Sequence, residues 1–277
     1  MSQKMKALPA SLTLVGAGRM GSAMLSGWLA MGLRGDAITI LEPVPCPELT
    51  ALCASQGIAL NPAGACLQPA EVLILAVKPQ MLDSAAPSLA PLTGPGTLVI
   101  SILAGKRIAD VAARLPLAGA IVRAMPNTPA AIGRGITGVA ASETVTPRQR
   151  DMTGALLGAV GAVEWLANES LIDAVTAVSG SGPAYIFYLT ECLAKAGEAA
   201  GLPADLSLRL ARATVEGSGE LMRQSAYVAP GKLRENVTSP GGTTAAALSV
   251  LMGAEGLEPL MRNAVAAALH RAGELSG

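Results

Sequence analysis

Histidine and paired cysteines, the residues that most often hold a structural metal, are nearly missing from this 277-residue sequence. There is one histidine, His270, and none of the four cysteines lies in the CxxC spacing of a zinc site. The cysteines are Cys46, Cys53, Cys66 and Cys192. Their number and spacing do not indicate a disulfide framework, so we predict reduced thiols, a cytoplasmic protein and no metal site.

An excess of charge of either sign is also missing. The 20 basic residues balance 20 acidic ones, which argues against a nucleic-acid partner or an anionic membrane surface. No apolar run approaches the ~20 residues of a membrane-spanning helix. Charged residues make up 14% of the chain against 51% apolar residues. We interpret this surplus of apolar residues as a buried subunit interface, and therefore expect an oligomer.

Short β-branched runs alternate with helical patterns over the first half of the chain. This alternation predicts an α/β fold of the doubly wound type, a parallel sheet covered by helices on both faces. The predicted strands are residues 12–15, 37–41, 72–77, 97–102 and 120–123, with 135–140 and 162–166 as further edge strands.

From about residue 169 the strand pattern stops and helical spacing takes over. The predicted helices are residues 184–200, 206–225, 231–238, 244–252 and 259–275. We therefore place a domain boundary after residue 167. Residues 1–167 are predicted to form a dinucleotide-binding Rossmann domain, and residues 168–277 an all-α domain for substrate binding and dimerisation.

A glycine-rich motif, GAGRMG, follows the first predicted strand and begins a helical pattern. Gly16 allows a tight turn, Gly18 leaves room for a pyrophosphate, and Gly21 allows close packing of helix and strand. The phosphates would meet the free N–H groups of the helix N-terminus. Dinucleotide binding is the favoured interpretation, and a structural turn is the alternative.

Three later strand ends carry candidate cofactor residues. Glu42, about 20 positions after the glycine loop, is placed to accept hydrogen bonds from the adenine ribose and to repel a 2′-phosphate, which favours NADH. An exposed glutamate at a strand end is the alternative. Lys78 in AVKPQ lies at the cofactor crevice or is an ordinary surface lysine. The MPNTPA loop carries Asn127, a further candidate for cofactor binding.

Two glycine-containing motifs interrupt the helical half. SGSGPAY contains Ser179 and Ser181, whose small side chains allow the close approach of a cofactor, a substrate or another helix. SPGGTT, residues 239–244, places two glycines where they cost roughly 1 kcal/mol each relative to alanine in a helix.

These motifs occur in an order that resembles pyrroline-5-carboxylate reductase, and the resemblance extends over about residues 12–275. It implies a Rossmann domain followed by a helical domain that interlocks with a second copy. The implied reaction is the reduction of L-1-pyrroline-5-carboxylate to L-proline by NADPH or NADH, the last step of proline biosynthesis. Dimers of that family often assemble into larger rings, so a homodimer or a ring of dimers is expected here.

The resemblance also implies the site residues, motif by motif. The implied cofactor contacts are Val15, Gly16, Ala17, Gly18, Arg19, Met20, Gly21, Ala76, Val77, Lys78, Pro79, Ile102, Leu103 and Ala104. The implied substrate contacts are Asn236, Gly241, Gly242, Thr243 and Thr244, to which we add Ser179.

Thr244 is the predicted catalytic residue. The two glycines let successive N–H groups turn inward to bind the substrate carboxylate, which leaves the Thr244 hydroxyl to hydrogen-bond the imine nitrogen. The alternative is that the threonines only cap the following helix.

The sequence departs from the family at the cofactor end. The family often has an asparagine that contacts the cofactor where this chain has Ala63, with Asn61 two residues earlier. Members that prefer NADP often have Asn-Arg or serine-rich sequence in place of Glu42 and Pro43. The reaction is unaffected, but the choice between NADH and NADPH stays open.

Two other functions share parts of this sequence pattern. A β-hydroxyacid or 6-phosphogluconate type of dehydrogenase also joins a Rossmann domain to helices, but it uses a lysine in the helical domain. The candidate, Lys195, has no supporting motif. A catalytically inactive nucleotide-binding protein would have lost the phosphate loop or the SPGGTT threonines, and both are intact.

Overall fold

The computed structural model describes residues 8–63 and 68–276, which leaves Cys66 outside the described residues. Eight strands form one sheet in the order β3-β2-β1-β4-β5-β6-β7-β8. The strands are β1 (Leu12–Val15), β2 (Ile38–Leu41), β3 (Ala59–Leu60), β4 (Val72–Leu75), β5 (Leu98–Ser101), β6 (Ala120–Met125), β7 (Gly135–Ala141) and β8 (Gly161–Trp165). This order is that of a doubly wound sheet with two added strands, which confirms the predicted fold class.

One strand pair departs from the parallel sheet that the sequence predicts. β6 and β7 are antiparallel, whereas the other neighbouring pairs are parallel. Only residues 126–134 connect them, with a 3-10 turn at Thr128–Ile132, and a parallel crossover needs a longer connection. The prediction of β7 as an edge strand was wrong, since it lies between β6 and β8.

Helices cover both faces of the sheet, as alternating strand residues require. Ile74 on β4 packs in one apolar cluster, whereas its neighbours Leu73 and Leu75 pack in a second cluster on the opposite face. Trp28 is fully buried in the first cluster and donates its indole N–H to the Leu156 carbonyl at 2.9 Å. The helices of this part are α1 (Arg19–Ala30), α2 (Pro47–Gln56), α3 (Leu82–Leu89), α4 (Ile108–Arg114), α5 (Pro147–Gly158) and α6 (Leu171–Val175).

The remaining helices follow a π-helical turn at Thr176–Gly180. They are α7 (Gly182–Ala199), α8 (Ala204–Gln224), α9 (Pro230–Asn236), α10 (Thr243–Leu251) and α11 (Leu257–Ser276). The five predicted helices are present with bounds within about two residues, which confirms the helical domain. Among the described residues, no helix is both long enough and apolar enough to cross a bilayer.

The chain divides into two compact units between Gly180 and Ser181. The first unit holds the sheet and also the end of α11 from Leu269 onward, and the second holds residues 181–268. The strands end at Trp165, close to the predicted boundary at residue 167, but residues 168–180 pack with the sheet. As a division of function, the boundary after residue 167 stays a prediction.

Candidate functional site

The glycine loop joins β1 to α1 in a conformation that requires its glycines. Gly16 has φ +91°, and a Cβ atom there would lie 2.7 Å from the Ala76 carbonyl oxygen. A Cβ on Gly21 would lie 2.4 Å from the Gly16 carbonyl oxygen, whereas a Cβ on Gly18 would meet open space. The first and third glycines therefore allow close backbone packing, and the second leaves a free approach to the start of α1, where N–H groups are available to an anion.

Hydrogen bonds between adjacent strand ends bring most of the predicted cofactor residues to one edge of the sheet. The Gly16 amide donates to the Leu41 carbonyl at 2.9 Å, and the Ala76 amide to the Val15 carbonyl at 2.8 Å. The Ile102 amide donates to the Leu75 carbonyl at 3.0 Å. Residues 15–21, 76–79 and 102–104 thus share the carboxyl edge of β1, β4 and β5, where open α/β sheets bind their ligands.

Within this group, the two cations Arg19 and Lys78 have exposed side chains. Pro79 begins a 3-10 turn, Pro79–Met81, so the AVKPQ segment leaves the sheet as a rigid bend. The arrangement presents backbone amides together with two exposed positive charges, which suits a pyrophosphate.

Glu42 follows β2 and its carboxylate is held against the glycine loop. Oε2 accepts from the Ala17 amide at 2.8 Å, and Oε1 accepts from the Val44 amide at 3.1 Å. The Asn61 side chain brackets the same residue: its Oδ1 accepts from the Glu42 amide at 2.9 Å and its Nδ2 donates to the Glu42 carbonyl at 2.8 Å. A negative charge is therefore fixed beside the phosphate loop.

A cavity of about 300 Å³ opens next to Glu42. Asn61 lines this cavity, together with several residues to which sequence reasoning assigned no role, which are Met81, Ser84, Ala85 and Ser88. Asn61 has φ +46°, a conformation that asparagine adopts more readily than most residues. Ala63 stands at the family's asparagine position, but Asn61 is the residue that lines this cavity.

The Asn127 side chain forms hydrogen bonds with two backbone groups. Its Oδ1 accepts from the Ile136 amide at 2.9 Å, and its Nδ2 donates to the Ser179 carbonyl at 3.2 Å. The Ser179 hydroxyl in turn donates to the Val175 carbonyl at 3.0 Å within the π-helical turn. Asn127 thus connects the loop after β6 to the SGSGPAY segment, and its binding to a cofactor stays a prediction, as does that of Ser179 to substrate.

Apart from Ser179, the predicted substrate residues belong to the second unit. Asn236 ends α9 and is exposed, and Gly241 has φ +71° in the turn that follows. Gly242 is the N-cap of α10, so Thr243 and Thr244 are its first two residues. A helix leaves its first amides without intrahelical partners, which makes this turn suited to an anion. Because a glycine occupies the cap position, neither threonine serves as the N-cap.

A glycine turn between strand and helix, an acidic residue after β2 and convergent strand ends define the nicotinamide-dinucleotide class of Rossmann oxidoreductases. Residues 11–105 match the family described as NADP oxidoreductase, coenzyme F420-dependent, which agrees with this class. Residues 169–275 match the family described as pyrroline-5-carboxylate reductase dimerisation.

Comparison of the whole chain identifies the family. The chain is 38% identical over 266 residues to pyrroline-5-carboxylate reductase of Pseudomonas aeruginosa, covering 96% of each. The solved structure of a Coxiella burnetii pyrroline-5-carboxylate reductase is 33% identical with a TM-score of 0.88, over 97% of this chain and 99% of that one. The Plasmodium falciparum enzyme, solved with NADP bound, is 26% identical with a TM-score of 0.77, over 97% and 98%. The chain belongs to the pyrroline-5-carboxylate reductase family.

Proposed function

We infer that this protein reduces L-1-pyrroline-5-carboxylate to L-proline with NAD(P)H, the last step of proline biosynthesis. The observation that carries the inference is family membership over nearly the whole chain together with an intact phosphate loop and SPGGTT turn. A dehydrogenase that uses a helical-domain lysine is disfavoured, because Lys195 lies exposed on α7 in a segment without a supporting motif.

The residues at the carboxyl edge of the sheet fit a nicotinamide dinucleotide. Gly16 and Gly21 pack so closely that no side chain could fill the space, and Gly18 is open. When bound, NAD(P)H supplies the hydride. We propose that residues 15–21 hold the pyrophosphate, that Ala76 to Pro79 follow the cofactor, and that the backbone of residues 102–104 lies against the nicotinamide.

The second unit supplies the proposed substrate contacts apart from Ser179, which lies in the first unit. The amides of Gly242, Thr243 and Thr244 bind the substrate carboxylate, and Asn236 frames the pocket. The Thr244 hydroxyl hydrogen-bonds the ring nitrogen and helps to keep it protonated, which makes the imine carbon electrophilic. A strong acid is not required, because an iminium carbon already accepts hydride readily.

Glu42 governs the proposed cofactor preference. Its carboxylate, held by two amides, would lie near the adenine ribose, where it accepts from hydroxyls and repels a 2′-phosphate. We therefore propose that NADH is used at least as well as NADPH.

We further propose a cytoplasmic homodimer formed by the helical unit, with a ring of dimers as the larger assembly. The match to the family's dimerisation region and the exposed apolar side chains of α7 support the dimer. Sedimentation velocity at micromolar concentration distinguishes a monomer, a dimer and a larger ring.

The direct test of the function is oxidation of NADH and NADPH, each measured separately, in the presence of pyrroline-5-carboxylate. Substrate-dependent oxidation with stoichiometric formation of proline is expected. Failure of both cofactors to be oxidised by the folded dimer would refute the proposed reaction.

A further inference from the structure

An ionic cluster around a buried arginine connects to the segment after β5. Arg123 on β6 is only 4% exposed. Its Nη1 lies 3.2 Å from Glu169 Oε1, and its Nη2 lies 3.2 Å from Asp173 Oδ1. Two half-buried carboxylates thus pair with one buried guanidinium, and a buried charge of this kind is stable only where it is paired and hydrogen-bonded.

Each carboxylate of the cluster holds a second group. Glu169 Oε1 accepts from the Ile108 amide at 2.7 Å, at the first residue of α4. Asp173 Oδ1 accepts from the Ser276 hydroxyl at 3.0 Å, in the last turn of α11. Ser276 is 7% exposed and Asp173 is half-buried, so this hydrogen bond is partly shielded from water. The cluster therefore fixes the start of α4 and the end of α11 through one arginine.

The end of α11 is in close backbone contact with the segment between β5 and α4. Gly105 has φ +72°, and a Cβ atom there would lie 2.5 Å from the Leu275 carbonyl oxygen. Leu275 immediately precedes Ser276, which Asp173 holds. The position of Gly105 is thus limited by the Leu275 backbone, which the cluster anchors through Ser276.

The segment itself has weak internal hydrogen bonds. The Leu103 amide donates to Ser101 Oγ at 3.4 Å, and the Lys106 amide donates to the Leu103 carbonyl at 3.3 Å. Both distances lie beyond the usual range for N–H···O bonds. Besides the Ile102 amide bond to the Leu75 carbonyl and the buried Leu103 side chain, residues 102–106 are supported at Ile108 on one side and at Leu275 on the other, and the Arg123 cluster connects to both sides.

We propose that Arg123, Glu169 and Asp173, together with Ser276, are positioning residues for hydride transfer. They hold the backbone of residues 102–106 in place. The inference rests on the proposed function, in which residues 102–104 lie against the nicotinamide. None of these four side chains needs to touch cofactor or substrate. A displacement of about 1 Å in a group that orients a reacting centre can lower the rate substantially.

The first experiment measures the support itself and does not depend on activity. Ser276→Ala removes one hydrogen bond to Asp173, and hydrogen exchange of the Leu103 and Lys106 amides is followed by mass spectrometry. We expect exchange there to become about threefold to tenfold faster, as for the loss of one net hydrogen bond. Thr146→Ala is the matched control, because it removes a hydroxyl that caps α5, far along the chain from this segment. Unchanged exchange in Ser276→Ala would overturn the proposal.

The second experiment measures the consequence for the reaction. In single-turnover oxidation of cofactor deuterated at the transferred position, Ser276→Ala should slow hydride transfer about threefold to tenfold. The isotope effect should be at least as large as in wild type, and the cofactor dissociation constant should stay within about twofold. Thr146→Ala should lower Tm without changing this rate.

A double-mutant cycle tests whether the groups act together. Asp173→Asn combined with Ser276→Ala should slow hydride transfer less than the product of the two single effects, since the two side chains share one hydrogen bond. Faster exchange with an unchanged single-turnover rate would assign the cluster a purely structural role and overturn the proposal. A wild-type dimer without turnover would contradict the proposed function but not the role of the cluster. The exchange experiment would still decide whether the cluster holds the segment.

Discussion

The two compact units of this chain differ in how far they bury their own apolar side chains. β1, β4 and β5 of the first unit are buried at every position. In the second unit, α9 and α10 contain no buried residue, and α7 buries only Ala194. The large apolar side chains exposed on α7 are Ile186, Phe187, Tyr188, Leu189 and Leu193.

This difference shows where the surplus of apolar residues in the composition resides. The Rossmann unit closes its own core on both faces of the sheet, whereas the helical unit leaves large apolar side chains of α7 exposed, as expected for a surface that another protein covers. The first unit therefore has what it needs to fold around its own core, and the second is suited to completing its core with another copy.

The largest effect should come from placing a charge on the apolar surface of α7. Phe187 is 64% exposed in the single chain, and Phe187→Glu should weaken the dimer about a thousandfold or more, since a symmetric interface counts each substitution twice. Sedimentation velocity checks the assembly. Leu117→Glu is the matched control, because Leu117 is 56% exposed in the Rossmann unit, and it should leave the dimer intact. A stable Phe187→Glu dimer would place the interface elsewhere.

The next largest effect is expected at the start of α10. Thr244→Val should lower kcat/KM about tenfold to a thousandfold, because it removes a hydrogen bond that acts in the transition state, while the cofactor dissociation constant hardly changes. Steady-state kinetics and cofactor titration measure the two quantities.

Thr190→Val serves as the control for this change. The Thr190 hydroxyl donates to the Ile186 carbonyl within α7, so its loss should leave kcat/KM near wild type. Wild-type turnover in a folded Thr244→Val protein would remove Thr244 from the mechanism and leave the two glycines as an anion site.

A third prediction compares two glycines of the Rossmann unit that have nearly the same positive φ, Gly16 and Gly32. Gly16→Ala should weaken cofactor binding about tenfold or more, because its Cβ meets the Ala76 carbonyl at 2.7 Å and displaces the phosphate loop. Gly32 also has a strongly positive φ, +92°, but open space around it. Gly32→Ala should therefore cost stability, about 1 kcal/mol, and leave the dissociation constant unchanged in fluorescence titration. Equal losses of affinity in both variants would show that strain alone matters.

The smallest effect concerns cofactor choice. Glu42→Ser should shift the ratio of kcat/KM for NADPH over NADH upward by about tenfold, since it removes a carboxylate that would face a 2′-phosphate. Glu164→Ser, an identical change of charge on β8 at the opposite edge of the sheet, should leave the ratio unaltered. A wild-type enzyme that strongly favours NADPH would contradict the assigned role of Glu42.

Much of the Rossmann unit was predictable because strand and loop signals are local. β1 has the predicted bounds, and β2, β4 and β5 differ by one or two residues at their ends. β3, only two residues long, was missed because a strand that short has no periodicity to read. The reversal of β7 was also missed, since a run of β-branched and small residues carries no information on strand direction.

The candidate site shows the same limit. The glycine loop and SPGGTT are contiguous motifs, and their placement on the fold follows the sequence. The two hydrogen bonds of Asn127 and the bracketing of Glu42 by Asn61 join residues 9 to 52 positions apart, so no local pattern reveals them. Arg123 reads in the sequence as an ordinary charged residue within a strand, and only burial shows that it is the centre of an ionic cluster.

The sequence by itself determined the strand and helix pattern, the phosphate loop and the family, because each depends on residues that are neighbours along the chain. Only the tertiary structure decided the direction of β7, the pairing of Arg123 with Glu169 and Asp173, and the close contact of Leu275 with Gly105. These features arise from the packing of distant segments, in which burial and close backbone contact, rather than residue type, set the role of each side chain.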